Sequence, residues 1–327
     1  MRENPLKPLY ELCNVGDSRH KMANLPDFPR MIDIELTNLC NFRCLMCPTG
    51  NRSMQRDQGF MADEVFYKVL EDIRGRNIAL RFIRWGEPLM HPNLLPFLRA
   101  AKAQGVLLHL NTNGSHLTEE IAQALLDIQV DSIKFSFQGV DQQSYREMRN
   151  IDYFESLIEK VEMLNRLRGN SPVPFIQLST TITYETPEMV EAFRQRLAPL
   201  ADMLNVGRTS FDWLDLKAVR LKPAEVDMLM RLRDAESLVK VHPECPEVFD
   251  KLSINFDGKV TACCMDSDNL MVIGNVLEET VAQLWTNEKM TQYRIKLADM
   301  RHDEMELCRN CWDTHSLWSP AVKKDED

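Results

Sequence analysis

From about residue 31 to 210 the chain alternates short apolar runs with amphipathic stretches, which limits this part to repeated βα units around a parallel sheet. Strands are expected over 31–37, 79–85, 106–111, 131–137, 174–183 and 202–208. Between the first two, the stretch from Ala62 to Ile73 carries apolar residues at i, i+3 and i+4, the spacing of one helix face. Thr118-Glu119-Glu120-Ile121 and Pro187-Glu188-Met189-Val190 read as helix starts. Six such units are too few to close an eight-stranded barrel. In barrels of parallel strands the chemistry gathers at the C-terminal strand ends, so residues just after each strand are the candidates for function.

The segment Cys40-Asn41-Phe42-Arg43-Cys44-Leu45-Met46-Cys47 directly follows the first expected strand. Three thiolates at these spacings can hold three irons of a cubic iron-sulfur cluster and leave the fourth open, whereas an electron-carrying ferredoxin site supplies four cysteines. Structural zinc sites pair their cysteines in two knuckles instead. The Cys-x3-Cys-x2-Cys pattern, within the wider phrase from Glu35 to Cys44, resembles the signature of the radical S-adenosylmethionine (SAM) enzymes. The resemblance implies an open (β/α)6 barrel, a [4Fe-4S] cluster on Cys40, Cys44 and Cys47, and SAM chelated to its open iron. Reductive cleavage of SAM would then give methionine and a 5′-deoxyadenosyl radical that takes a hydrogen atom from the substrate.

Other segments extend the resemblance. Trp85-Gly86-Glu87-Pro88 is similar to the family's Gly-Gly-Glu-Pro turn, which implies that Gly86 and Glu87 receive the SAM ammonium, with Trp85 in place of the first glycine. In the fourth strand Ile133, Phe135 and Phe137 share one face while Lys134 and Ser136 share the other. The resemblance places Ser136 on the SAM ribose. Tyr145-Arg146-Glu147-Met148-Arg149-Asn150 resembles a helix end whose arginine, Arg149, pairs with the SAM carboxylate. Met46 stands where the family commonly has an aromatic residue against the adenine, and its polarizable thioether can make the same contact.

A second set of cysteines lies in the C-terminal part. Leu252-Ser253-Ile254-Asn255-Phe256, Asp257-Gly258 and Lys259-Val260-Thr261-Ala262 read as strand, turn and strand, a hairpin that returns Cys263 toward Cys245. Cys308-Arg309-Asn310-Cys311 adds a pair. The four resemble the auxiliary-cluster region of SPASM and Twitch radical SAM enzymes, as do Ile273-Gly274-Asn275-Val276 and Leu284-Trp285. This implies one auxiliary [4Fe-4S] cluster with complete cysteine ligation, as in the shorter Twitch form. A zinc ribbon is the structural alternative. Neighbouring strand residues face opposite ways, so Cys263 and Cys264 are not expected to ligate together. Trp312, His315 and Trp318 are expected to shield the cluster, His91 to belong to a turn, and Cys13 and Cys264 to be ordinary small residues.

The expected layout is an N-terminal arm over 1–27, the barrel over 28–215, a helical linker over 216–240, the auxiliary-cluster domain over 241–318 and an acidic tail over 319–327. With 327 residues and 44% hydrophobic content, one large and one small unit fit. The absence of an apolar N-terminal segment or a run of about eighteen apolar residues argues against secretion and membrane insertion. Nine cysteines are then better explained by metal ligation in a reducing cytoplasm than by disulfides. A net charge of −10 argues against a nucleic-acid partner.

Glu35, Lys134, Gln177, Thr181 and Arg208 are the polar pointers to substrate, with Lys134 and Arg208 foremost, the alternative for each being a partner within the core or contact with SAM. The leading functional expectation is dehydrogenase-type oxidation of an alcohol on a sugar or cyclitol, the auxiliary cluster accepting an electron. The alternatives are an epimerase using Cys264 or Cys13 as hydrogen donor, a peptide-crosslinking enzyme, a non-catalytic iron-sulfur carrier, and a zinc-stabilised interaction protein. A flavodoxin- or ferredoxin-type protein is the expected reductant.

Overall fold

The computed structural model describes residues 2–13, 16–209, 211, 214–234, 245, 247–309 and 311. Trp312, His315, Trp318 and the acidic tail lie outside them. Six strands, β1 (Met31–Ile34), β2 (Ala79–Phe82), β3 (Leu107–Thr112), β4 (Ser132–Ser136), β5 (Phe175–Ile182) and β6 (Met203–Arg208), pair in parallel in chain order. β1 and β2 end earlier than the apolar runs suggest. Beyond Ile34 the backbone leaves the β1–β2 ladder: Thr37 bridges to Phe60 instead, and its hydroxyl accepts from Leu39 N at 3.0 Å.

The alternation seen in the sequence sets the two faces of the sheet. Ile32, Ile34, Leu80, Phe82, Leu108, Leu110, Ile133, Phe135, Ile176 and Leu178 are completely buried on the outer face. Helices including Asp63–Asp72, Leu94–Lys102, Phe154–Arg168 and Pro187–Leu197 supply the rest of that core, where Phe66 and Phe97 stack with centroids 4.1 Å apart. Each such large side chain contributes about 1.5–3 kcal/mol by leaving water. Thr118 and Thr186 cap the helices that start at Glu119 and Pro187, accepting from Ile121 N and Met189 N.

The inner positions are polar: Asp33, Arg81, His109, Asn111, Lys134, Ser136 and Gln177 take the places that in a closed barrel hold layers of branched apolar residues. Asp33 and Arg81 are register neighbours joined by two bonds of 2.6 and 2.8 Å. Burial, with Lys134 and Arg81 nearby, pushes the His109 imidazole down to about 3, so it is neutral and meets Asn111 Oδ1 at 2.8 Å.

Three further strands extend the same sheet. β7 (Lys251–Ile254) lies parallel to β1 on its other edge, and β8 (Lys259–Thr261) and β9 (Val272–Asn275) follow antiparallel. The expected hairpin is therefore β7–β8, continuous with the barrel sheet. Gly258 at its turn has φ +82°, and the Asn275 side chain lies where a Cβ would go. The helix Glu288–Ala298 is tied to the helices Glu247–Asp250 and Val281–Thr286 by Arg294, whose buried guanidinium donates to Val248 O and Trp285 O and lies 4.0 Å from the Trp285 ring centroid. Among the described residues no helix is long and apolar enough to cross a membrane.

Candidate functional site

The loop after β1 brings Cys40, Cys44 and Cys47 together at the C-terminal end of the strands. Each turn of it is fastened separately. Asn38 donates to Asp57 O and accepts from Gly59 N, Leu45 N donates to Met148 O at 2.9 Å, and Asn51 Nδ2 donates to Leu45 O at 3.0 Å. Pro48 opens a short helix, Pro48–Asn51, of which Cys47 is the N-cap. A Cβ on Gly50 would lie 2.4 Å from Cys44 O, so this helix can pack on the cysteine loop only with glycine there. Leu45, Met148, Phe211, Leu214 and Leu229 form an apolar cluster beneath the loop, with Met46 packed against it. The helix Pro223–Asp234, in the expected linker, thus supports the cysteines.

All three thiols sit beside groups that stabilise a thiolate. Asn113 Nδ2 lies 3.8 Å from Cys40 Sγ, Arg149 Nη1 lies 3.5 Å from Cys44 Sγ, and the amides of Thr49 and Gly50 face Cys47. Burial pushes the unligated Cys40 thiol up to about 12, so loading with metal must release its proton. Among the described residues no three cysteine sulfurs lie within 4.8 Å of one another. A single zinc with bonds of about 2.3 Å needs sulfurs about 3.8 Å apart, closer than any three described cysteines come together.

Glu87 is fully enclosed. Its Oε1 accepts from Leu89 N at 3.0 Å and Thr112 Oγ1 at 2.7 Å, and its Oε2 accepts from Asn113 N at 2.7 Å. Burial raises its pKa, and these bonds together with Arg149 act in the opposite direction. Thr112 and Asn113 were not anticipated as site residues. The Asn-Thr-Asn-Gly run closing β3 was the available signal, but their role depends on β3 lying beside β2. Trp85 contributes its backbone carbonyl to Thr49 Oγ1 at 2.5 Å, so the residue replacing glycine still acts through its main chain.

Gly86 is required by space. A Cβ there would lie 2.0 Å from Thr37 O and 2.8 Å from Leu39 O, both backbone atoms. Gly86→Ala is expected to cost about 3 kcal/mol or more, the upper end of overpacking, and to lower the melting temperature markedly. A melting curve within a degree of the unsubstituted chain would contradict this packing.

Lys134 and Ser136 face inward, as the alternation requires. Arg149 donates to the Ser136 carbonyl as well as to Cys44, and its buried Nε has no partner among the described residues. The other inward candidates divide. Glu35 is completely buried and forms a two-bond ion pair with Arg56, so it is spent within the protein. Gln177 donates to Ser132 Oγ at 3.0 Å, and Thr181 joins Gln138 and Thr209. Arg208 is exposed on the edge strand. His91 bonds Met61 O and Asn93 N, a turn residue as expected. Lys134 alone keeps an inward ammonium with no hydrogen-bond or ion-pair partner among the described residues, beside Asp33, Arg81 and Cys264. Burial, then Arg81, lowers its pKa.

The C-terminal thiols come from three separate segments. Cys245 precedes the helix Glu247–Asp250, Cys263 follows β8, and Cys308 and Cys311 flank the end of the helix Glu306–Arg309. Cys245 lies within electrostatic reach of Cys263, Cys308 and Cys311. β8 ends at Thr261, so Cys263 and Cys264 lie beyond the strand and the rule of opposite faces does not govern them. Their thiols touch each other, but Cys264 also groups with Asp33 and Glu247, all three ligand atoms lying within 4.8 Å. That trio is not a cation site: Arg81 and Lys251 already pair with the two carboxylates. Cys13 packs with Leu6, Leu9, Met31 and Ala79 at the N-terminal end of β1 and β2, opposite the first thiol set.

A cavity of about 490 Å³ lies between the Pro48 loop and the auxiliary region, lined by Pro48, Ser53, Asp215, Met265, Ser267 and Cys311 among others.

Comparisons with known proteins identify two families along the chain. The radical SAM superfamily profile matches residues 34–197, and the SPASM iron-sulfur cluster-binding domain matches 245–312. A tungsten-containing aldehyde ferredoxin oxidoreductase cofactor-modifying protein of Pyrococcus furiosus is 26% identical over 298 residues, covering 80% of this chain and 82% of that protein. The SAM-dependent 2-deoxy-scyllo-inosamine dehydrogenase of Niallia circulans is 22% identical over 296 residues, covering 86% and 92%. Among solved structures, BtrN in complex with AdoMet and 2-DOIA superposes with a TM-score of 0.55 at 18% identity, covering 86% of this chain and 92% of that one. Streptococcus suis SuiB bound to S-adenosylmethionine gives 0.64 at 14% identity, covering 90% and 74%.

Proposed function

This chain belongs to the radical SAM superfamily and carries a SPASM domain, and from that premise we propose that it is a dehydrogenase acting on an alcohol of a sugar or cyclitol. It is an oxidoreductase-type enzyme whose cofactors are SAM, a SAM-binding [4Fe-4S] cluster and an auxiliary iron-sulfur cluster. In the proposal Cys40, Cys44 and Cys47 hold the first cluster, and Cys245, Cys263, Cys308 and Cys311 the second. Glu87 and the Gly86 backbone receive the SAM ammonium, Ser136 the ribose, Arg149 the carboxylate and Met46 the adenine. The division into a barrel over 28–215 and an auxiliary-cluster domain over 241–318, and a flavodoxin- or ferredoxin-type reductant, belong to the same proposal.

When bound, the cofactors supply hydrogen-atom abstraction from the carbinol carbon and an acceptor for the remaining electron. What the chain must add is an acceptor for the hydroxyl proton. Lys134 carries this reading: it is the inward amine without a hydrogen-bond or ion-pair partner among the described residues, burial lowers its pKa, and it lies beside Cys264, next in sequence to Cys263. The dehydrogenase from Niallia circulans gives the first substrate to try.

Cys264 favours a second reading. Its thiol is held beside the Glu247 carboxylate within the barrel, where it could return a hydrogen atom and make the reaction an epimerisation. Cys13, at the other end of the strands, is unsuited to that role.

The test is anaerobic turnover of the reconstituted enzyme with dithionite, SAM and a panel of cyclitols and aminocyclitols that includes 2-deoxy-scyllo-inosamine, followed by mass spectrometry. The expected product is lighter by two hydrogens, and Lys134→Met should lower its yield about 10²-fold or more while 5′-deoxyadenosine formation persists. Cys264→Ala should leave product unchanged. An isomer of unchanged mass that disappears in Cys264→Ala would replace the dehydrogenase reading by epimerisation.

A further inference from the structure

We infer that Arg84, with Arg56 and Glu35, forms a buried charged clamp that positions the Cys263 loop and makes the auxiliary cluster easier to reduce. The inference rests on Cys263 being an auxiliary-cluster ligand.

Arg84 lies between β2 and the Gly86-Glu87 turn with φ +99°, a backbone conformation that glycine adopts freely and L side chains rarely do. The chain places there a completely buried arginine. Its guanidinium crosses the barrel to the auxiliary region, 171 residues on at its nearest contact. Nη2 donates to Asn255 Oδ1 at 2.8 Å and to Asp266 O at 3.0 Å. Nη1 donates to Cys263 O at 3.0 Å and approaches Thr261 Oγ1 at 3.4 Å. The strained residue therefore holds the turn carrying a ligand, through four contacts.

Arg56 reaches the same turn from the loop after the first thiol set. Its Nε donates to Ser267 O at 2.6 Å, and its two Nη groups bind both oxygens of Glu35. Glu35 Oε2 also lies 3.9 Å from Arg84 Nε. Two guanidiniums thus share one carboxylate, leaving this trio with a net positive charge in a buried setting where charge is weakly screened. Asp266, on the same turn, does not offset it by direct pairing, because its carboxylate accepts from Leu270 N and Met271 N. Reduction adds negative charge to an iron-sulfur cluster, so nearby positive charge and hydrogen bonding favour the reduced state.

The test uses full-length protein with Cys40, Cys44 and Cys47 all replaced by alanine, so that only the auxiliary cluster loads. Its midpoint potential is read by redox titration with electron paramagnetic resonance, without reference to turnover. Arg84→Gln should shift the potential negative, Arg84→Lys should recover the larger part of that shift, and Glu35→Gln, which removes the counter-charge, should shift it positive. If Arg84→Gln does not load iron, the Arg84→Lys and Glu35→Gln comparison still decides. A Glu35→Gln potential that is unchanged or more negative overturns the electrostatic role. If the parent with Arg84 intact is folded by circular dichroism and loads no cluster, the ligand assignment itself fails and the clamp inference falls with it.

Discussion

Replacing Cys40, Cys44 and Cys47 together by alanine is expected to remove about four of about eight irons per chain and to abolish 5′-deoxyadenosine formation. Loss should be complete because no other described cysteine adjoins this loop: Cys13 is at the far end of the strands, and the remaining thiols are gathered at the auxiliary region. The Cys44 position carries an added cost. The Arg149 guanidinium is buried beside Cys44, with aromatic rings of Phe42 and Tyr145 at 6.0 and 5.6 Å and no carboxylate paired to it among the described residues. Without a thiolate there, its charge loses its anionic neighbour, and breaking a buried pair by removing one partner costs about 3–5 kcal/mol. Iron and sulfide analysis with chromatography of the nucleoside products checks the result. Persistent 5′-deoxyadenosine in the triple variant would remove these cysteines from the reaction.

The second large effect concerns the other thiols. Cys245→Ala combined with Cys308→Ala is expected to leave about four irons per chain, to keep SAM cleavage, and to eliminate the two-electron oxidised product. Cys245, Cys263 and the Cys308–Cys311 pair come from three chain segments, so a cluster joining them also staples the helix Glu306–Arg309 to the sheet. Metal binding is then part of folding free energy, and the variant should melt several degrees lower. Iron content, melting temperature and product yield are three separate readouts. Full product formation with only four irons would mean that the second cluster is not the electron acceptor and would sink the dehydrogenase mechanism.

How much of this was legible from residue order can be judged at individual positions. Ile133 and Phe135 against Lys134 and Ser136 was readable because alternation in a strand is a local property, and one buried face is enough to define it. The cysteine triplet was readable because its spacing is short and its position after β1 is set by the strand before it. Glu35 was readable only as inward-facing, open to substrate or to a partner within the core: its partner Arg56 arrives from a loop whose path depends on the cysteine turn. Arg84 carried no signal, since nothing local distinguishes an arginine that crosses the barrel from one that meets solvent.

The sequence by itself determined the six βα units, the inward and outward faces of the strands, the two cysteine sets and the hairpin at Gly258, because each follows from periodicity or spacing within a few residues. Only the tertiary structure decided that β7 joins β1 in one sheet, that Thr112 and Asn113 hold Glu87, that Arg149 lies on Cys44, and that Arg84 reaches Cys263. The physical reason is that these contacts join segments distant in the chain, and which polar groups must satisfy one another is settled only when packing the apolar outer face has brought the strands side by side and closed their interior to water.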